Sequence, residues 1–82
     1  MDTPRQVIRA KILAGSLRRD AYVRSRFGKG TGAPCAGCEL SITAEQVEVQ
    51  VEFRDNATLR FHSPCFDIWR VETQWPASPF RQ

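Results

Sequence analysis

The chain has 82 residues, a formal net charge of +3 and three cysteines, so it can hold one small domain. A core of this size alone rarely supplies more than about 3–5 kcal/mol of stability, and such domains usually need a disulfide or a metal. The odd cysteine count argues against a closed disulfide framework, and the sequence shows no secretory signal region and no long apolar run. We therefore expect a reduced, cytoplasmic, metal-stabilised protein with no membrane association.

The first thirty residues predict two short helices. A capping box and a proline at the first helical position begin a helix that runs over residues 4–14 and that Gly15 ends. Ser16 then caps a second helix over residues 17–24. The two helices would form a hairpin like a helix-turn-helix, and a glycine-rich connector over residues 28–34 follows them.

The second half of the chain predicts a β-hairpin and a helix. Strict alternation of apolar and polar residues over residues 46–53 indicates a half-buried strand, and turn residues connect it to a second strand over residues 58–62. Ser63 and Pro64 can begin a helix directly after the hairpin. Two prolines prevent the helix from continuing past Trp75, so we expect an extended tail.

The cysteines and the single histidine predict a metal site. They form two pairs, each with two residues between the partners, and the hairpin between the pairs can bring them together. The predicted ligands are Cys35, Cys38, His62 and Cys65. Thiolate and imidazole ligands favour zinc, and four protein ligands leave no position for water or substrate. We therefore expect one structural Zn²⁺, no catalytic residues and no enzymatic activity.

Two alternatives to the zinc site remain open. The cysteines and the histidine could be unrelated side chains, or Cys35 and Cys38 could form a redox pair, although a redox pair would leave His62 and Cys65 without a role.

We also expect Gly37 to adopt a positive φ in the tight turn between the first two cysteines.

Several of these motifs resemble a known family. Pro34-Cys-x-x-Cys, the Val-rich strand and His62-x-x-Cys65-Phe66-x-x-Trp69 look like the zinc fingers of poly(ADP-ribose) polymerases and, more loosely, like LIM-type fingers. The match covers roughly residues 31–70. The whole chain also resembles small bacterial proteins of unassigned function. The polymerase fingers recognise broken DNA ends through phosphate contacts and stacking on an unpaired base, so the resemblance implies a role in DNA binding.

Together these observations predict an α+β fold, in which a β-hairpin and a C-terminal helix form a treble-clef-like zinc finger after one or two short helices. The predicted organisation is a basic helical segment over residues 1–30, a zinc finger over residues 31–74 and an extended tail over residues 75–82, all within one compact domain.

The charge distribution favours a nucleic-acid-binding function. Residues 1–30 carry a net charge of +6 and residues 31–82 a net charge of −3, which suggests that the first segment contacts a polyanion, unless its charges are only solvated. The outward face of the predicted hairpin is acidic. The candidate nucleic-acid-binding residues are Arg18, Arg19, Arg24, Arg26 and Lys29. We expect an accessory to transcription regulation that has no small-molecule substrate.

The alternative function is a protein-interaction adaptor. Small domains with spare aromatic residues can expose them at an interface. The hairpin face or the tail from Trp75 to Phe80 would then contact the partner protein.

Overall fold

The computed structural model describes residues 3–73, which form a three-stranded antiparallel sheet with one helix before it and one after it. In chain order the elements are α1 (Pro4–Leu13), β1 (Tyr22–Lys29), β2 (Val47–Phe53), β3 (Thr58–His62) and α2 (Ser63–Thr73). The strands are ordered β1-β2-β3, and both neighbouring pairs are antiparallel. The predicted α+β class is confirmed. The predicted tail, residues 75–82, lies outside the described residues.

The first helix has the predicted ends. The Thr3 hydroxyl accepts a hydrogen bond from the Gln6 N–H at 3.2 Å, and the Thr3 N–H donates to Gln6 Oε1 at 2.9 Å, which completes the capping box. Gly15 has a φ of +82° directly after the helix, a conformation that glycine adopts without strain. Ile8 and Ile12 are buried, so α1 turns its apolar face towards the rest of the molecule.

The second predicted helix, over residues 17–24, is wrong. Residues 17–21 form a loop, and β1 starts at Tyr22 and pairs with β2. A helix of eight residues is marginal by itself, whereas the Tyr22 ring packs 5.9 Å from the Trp69 ring, and the strand completes the sheet. Tertiary contacts therefore override a weak helical pattern, and α1 is the one helix in the described part of residues 1–30.

The strand β1 changes the charge of the outward sheet face. Arg24 pairs with Glu52 and Arg26 with Gln50 across the β1–β2 ladder, so both arginines share a face with the polar side of the hairpin. The Nε atoms of Arg24 and Arg26 each lie 3.9 Å from the Glu52 carboxylate. The outward face is therefore mixed in charge, and not acidic as the hairpin alone predicts.

The helix α2 covers the opposite face of the sheet and forms the core there. The Trp69 side chain is fully buried, its ring stacks 5.3 Å from the Phe61 ring, and it meets the Phe53 ring edge-on at 6.0 Å. Trp69 is thus a core residue. Arg9 of α1 donates two hydrogen bonds to the Glu72 carboxylate, which joins the two helices. Among residues 3–73, no helix is long and apolar enough to cross a membrane.

Candidate metal centre

The four predicted ligands converge on one point. Their ligand atoms all lie within 4.8 Å of one another, close enough to hold one metal ion. Cys35 and Cys38 come from the loop before β2, His62 ends β3, and Cys65 lies in the first turn of α2. The hairpin and the start of the last helix thus return the second pair of ligands to the first, as the spacing predicts.

The loop that carries the first two cysteines has an unexpected backbone. The residue with positive φ is Glu39, at +72°, so the expectation for Gly37 is wrong. A Cβ atom on Gly37 would lie 3.0 Å from Cδ1 of Ile8 and 3.2 Å from the Cβ atom of Cys65. A side chain there would therefore be crowded, because the loop packs closely against α1 and α2. Lys11 of α1 also donates to the Ala36 carbonyl oxygen at 2.6 Å.

The ring of His62 is oriented by its second nitrogen. Nε2 lies 3.2 Å from the Ser41 carbonyl oxygen and 3.0 Å from Oε1 of Gln46, which also accepts a hydrogen bond from the Thr43 N–H. Because these atoms are acceptors, Nε2 carries the proton, and the lone pair of Nδ1 faces Cys38 Sγ at 3.3 Å. A metal-ligating histidine commonly has such an orienting partner. Spacing alone does not reveal this role of Gln46.

The thiols of the centre have strongly altered acidity. The sulfur of Cys35 accepts several hydrogen bonds. The Cys65 thiol donates to it, and so do backbone N–H groups, including those of Gly37 and His62 at 3.3 Å. These donors outweigh burial and hold the pKa of Cys35 well below the ordinary thiol value. The same hydrogen bond to the Cys35 thiolate, together with burial, raises the pKa of Cys65. Further thiolates at this point therefore need a cation to offset their charge.

The donor set fits a borderline-soft metal. Tetrahedral zinc, with bonds of about 2.3 Å to sulfur and about 2.0 Å to nitrogen, requires neighbouring S and N ligand atoms roughly 3.5 Å apart. The observed separation of 3.3 Å between Cys38 Sγ and His62 Nδ1 is close to that requirement. Three sulfurs and one nitrogen favour zinc over magnesium or calcium, which prefer oxygen ligands.

Among the predicted basic residues, Arg18 pairs with two carboxylates of the chain. Its guanidinium donates to the carboxylates of Asp20 and Asp55, at 2.6 and 3.2 Å, and lies 4.1 Å from the centroid of the Phe53 ring. Its carbonyl oxygen accepts a hydrogen bond from the Trp69 indole at 2.7 Å. Arg18 therefore connects the loop before β1 to the hairpin and to α2, and its role in binding nucleic acid stays a prediction.

The other predicted basic residues are exposed, but they do not lie on a helix. Arg24 and Arg26 lie on the outward face of β1, while Lys29 ends the strand and Arg19 lies in the turn before it. Arg60 of β3 joins them on the outward face, because it pairs with Gln50, which in turn pairs with Arg26. Net charge does not reveal Arg60, because it lies in the acidic half of the chain. Its position on the polar side of a predicted strand is the available signal.

No protein-family model, no curated protein and no solved structure matches the chain. The resemblance to polymerase and LIM-type fingers stays a prediction from short motifs. The function therefore has to be argued from the geometry of the metal centre and of the surface around it.

Proposed function

We propose that the centre holds one structural Zn²⁺ and that the protein binds nucleic acid through the outward face of its sheet. The proposal is carried by three arginines that share this face, two on β1 and one on β3. The side chains of Arg24, Arg26 and Arg60 are 59%, 62% and 44% exposed. The helix α2 packs against the opposite face, so a large ligand can approach these guanidinium groups.

The proposed contacts are to the phosphate backbone. Glu52 lies 3.9 Å from Arg24 and Arg26, and Glu48 accepts from Arg60 Nε, so each guanidinium keeps further N–H donors for a phosphate. Contacts of this kind supply affinity that falls steeply with salt, and they do not read sequence. The zinc has a structural role in this proposal, because its four ligand positions come from the protein.

The test is a fluorescence-anisotropy titration of the zinc-loaded protein with duplex and single-stranded DNA at about 50 mM and about 200 mM salt. We expect binding at the lower salt concentration that weakens strongly at the higher one. A double variant, Arg24→Ala with Arg26→Ala, should bind more weakly and lower the salt slope by about 0.9 for each lost contact to a duplex phosphate.

The charge-matched control is Arg5→Ala with Arg70→Ala, which removes two arginines from the helices. This control should bind DNA more tightly than the β1 double variant. No binding to either form of DNA at low salt would contradict the proposal. Equal weakening by the two double variants would show that net charge acts without a defined surface.

A second candidate function is protein interaction, favoured by exposed apolar side chains beside the metal centre. Leu40 and Val47 are 68% and 48% exposed, and both line a hollow of about 520 Å³ that Pro4 and Pro64 also border. Exposed apolar surface of this kind commonly marks a protein interface. A pull-down that recovers the same partner with the wild type and with Leu40→Ser plus Val47→Ser would exclude this hollow as the contact.

A further inference from the structure

The strand β1 leaves one edge of the sheet unpaired. The Gly30 N–H donates to the Gln46 carbonyl oxygen at 2.9 Å, so the backbone N–H of Gly30 points towards the side of β2. In an antiparallel ladder every second residue points its backbone groups at the partner strand. The backbone N–H and C=O groups of Ser25, Phe27 and Lys29 therefore point away from β2, and nothing within residues 3–73 pairs with them.

The opposite edge of the sheet is partly covered. The Ala36 N–H donates to the Arg60 carbonyl oxygen at 2.6 Å, and the His62 N–H donates to Cys35 Sγ at 3.3 Å. The loop of the metal centre thus occupies the outer edge of β3. Of the two edges, β1 is the one along which no outward backbone group is paired in the described part of the chain.

The side chains along β1 define what an added strand would meet. On the outward face they are Arg24 and Arg26. On the other face Phe27 is 63% exposed, although one side of its ring meets Phe66 edge-on at 6.0 Å. Because side chains alternate between faces, a neighbouring strand places every second residue beside the arginines and the others beside Phe27.

We propose that β1 is a docking edge for an extended acidic segment of a partner protein. The segment adds a fourth strand, with carboxylates beside Arg24 and Arg26 and an apolar side chain against Phe27. Main-chain hydrogen bonds to Ser25, Phe27 and Lys29 supply affinity, and the alternating side chains supply selectivity. This inference rests on the protein-interaction function and not on nucleic-acid binding.

Two other occupants fit the edge less well. Antiparallel pairing of two copies of β1 brings the arginines of the copies close together, and like charges on neighbouring strands are destabilising. A nucleic acid can contact the arginines, but it has no main chain that continues the ladder. An acidic peptide satisfies both the guanidinium groups and the open backbone groups.

The experiment measures amide hydrogen exchange by NMR on the zinc-loaded protein. The probe is a capped peptide of about eight residues that alternates glutamate with valine, a length that matches the strand. Its control has the same composition, with all glutamates before all valines. We expect the alternating peptide to slow exchange of the Ser25, Phe27 and Lys29 amides by about tenfold or more, and the control peptide to leave them unchanged.

Two variants test the two parts of the edge. Ser25→Pro removes an outward N–H without removing a ladder bond to β2, and Phe27→Ser removes the exposed ring. Both should weaken peptide binding by about tenfold or more. Leu13→Ser, which removes an exposed apolar side chain at the end of α1, should leave the affinity unchanged. Because Phe27 is mostly exposed, its variant tests the proposal even if the proline disrupts folding.

Several results would overturn the proposal. They are the lack of protection at these amides, equal protection by the control peptide, and equal affinity of both variants and the wild type. Slow exchange of the same amides in a dimer without peptide would show that a second copy is the occupant. DNA binding is measured on the same sample. Because DNA would leave the outward amides exchanging freely, a failure of the docking-edge proposal can be distinguished from a failure of the nucleic-acid proposal.

Discussion

At the scale of single residues, Glu48 connects three parts of the chain. Its carboxylate accepts hydrogen bonds from the Thr31 N–H at 3.0 Å, the Thr31 hydroxyl at 2.8 Å and Arg60 Nε at 3.1 Å, and the residue is 7% exposed. Burial raises the pKa of Glu48, but the Thr31 donors and Arg60 outweigh it, so the pKa lies below its ordinary value of 4.5. Folding therefore favours the ionised carboxylate.

Replacing Glu48 by glutamine should lower the free energy of unfolding by about 1 kcal/mol at neutral pH, because charge-assisted hydrogen bonds are lost. A depressed pKa contributes stability that is fully present above the ordinary value of 4.5 and lost as the pH falls through the lower folded value. The difference between wild type and Glu48→Gln should therefore stay constant from about pH 7 to about pH 5 and shrink as the pH falls below about 4.5.

Urea unfolding of the zinc-loaded proteins measures this difference. The matched control is Glu45→Gln, at an exposed position, which should change stability little at any pH. A difference between wild type and Glu48→Gln that grows on acidification would contradict the assigned direction of the pKa shift.

Gln46 is the second residue whose role depends on the folded structure. Its Oε1 atom lies 3.0 Å from His62 Nε2 and fixes the ring that faces the thiols. Gln46→Ala should lower the affinity for Zn²⁺ by about tenfold, the lower limit typical of such orienting partners. Competition with a chromophoric chelator measures the affinity, and Gln50→Ala on the outward face is the control. Equal affinities of the two variants would exclude the orienting role.

At the scale of elements, the connector between β1 and the metal centre passes close to the backbone of the loop that precedes β2. A Cβ atom on Gly30 would lie 1.9 Å from the Thr43 carbonyl oxygen and 2.6 Å from that of Ile42, whereas one on Gly28 would meet nothing within 4 Å. The obstacle at Gly30 is main chain, so a side-chain rotation cannot relieve it. The connector is thus held against the loop that precedes β2.

Gly30→Ala should destabilise the protein by about 3 kcal/mol or more, because the backbone has to move to admit the methyl group. Gly28→Ala, two residues earlier and within β1, should cost little or be neutral. Thermal unfolding of the two zinc-loaded variants measures the contrast. Similar melting temperatures would show that the connector does not approach Thr43 so closely in solution.

The elements that the sequence predicts well have local signals. The capping box of α1, the alternation of β2 and the Ser63-Pro64 start of α2 all lie within a few residues of the structure that they specify. The strand β1 lacks such a signal, because most of its residues are exposed and an irregularity between Tyr22 and Arg24 breaks its alternation. β1 forms because it can pair with β2. Pairing between segments that are far apart in the chain is not visible in the local pattern of apolar and polar residues.

At the scale of the whole molecule, the metal centre joins parts of the chain that are far apart in the sequence. Its ligands come from a loop, a strand end and a helix start, and α1 packs on the same loop through Ile8 and Lys11. The ligand set is predictable because it needs only residue type and spacing. The charge of the outward sheet face is not predictable in this way, because it depends on which strand pairs with the hairpin.

Removal of the metal should abolish tertiary structure. Zinc binding contributes about 10–16 kcal/mol in finger peptides, more than a core of this size supplies. Chelation should therefore collapse the near-ultraviolet circular dichroism and the dispersion of the NMR spectrum, and added Zn²⁺ should restore both. The variant Cys65→Ser should have the same defect at limiting zinc. A dispersed spectrum that survives strong chelation would contradict the structural role of the metal.

The pairing of β1 with β2 also sets an order of events during synthesis. Tyr22 is translated long before its partner Phe53, and the final ligand, Cys65, is translated later still. The residues of β1, among them the apolar Tyr22, Val23 and Phe27, therefore leave the ribosome with no strand to join, and Tyr22 stays uncovered until α2 supplies Phe66 and Trp69. Arg24, Arg26 and Lys29 interrupt this apolar stretch, and charged residues in such positions slow the aggregation of nascent chains.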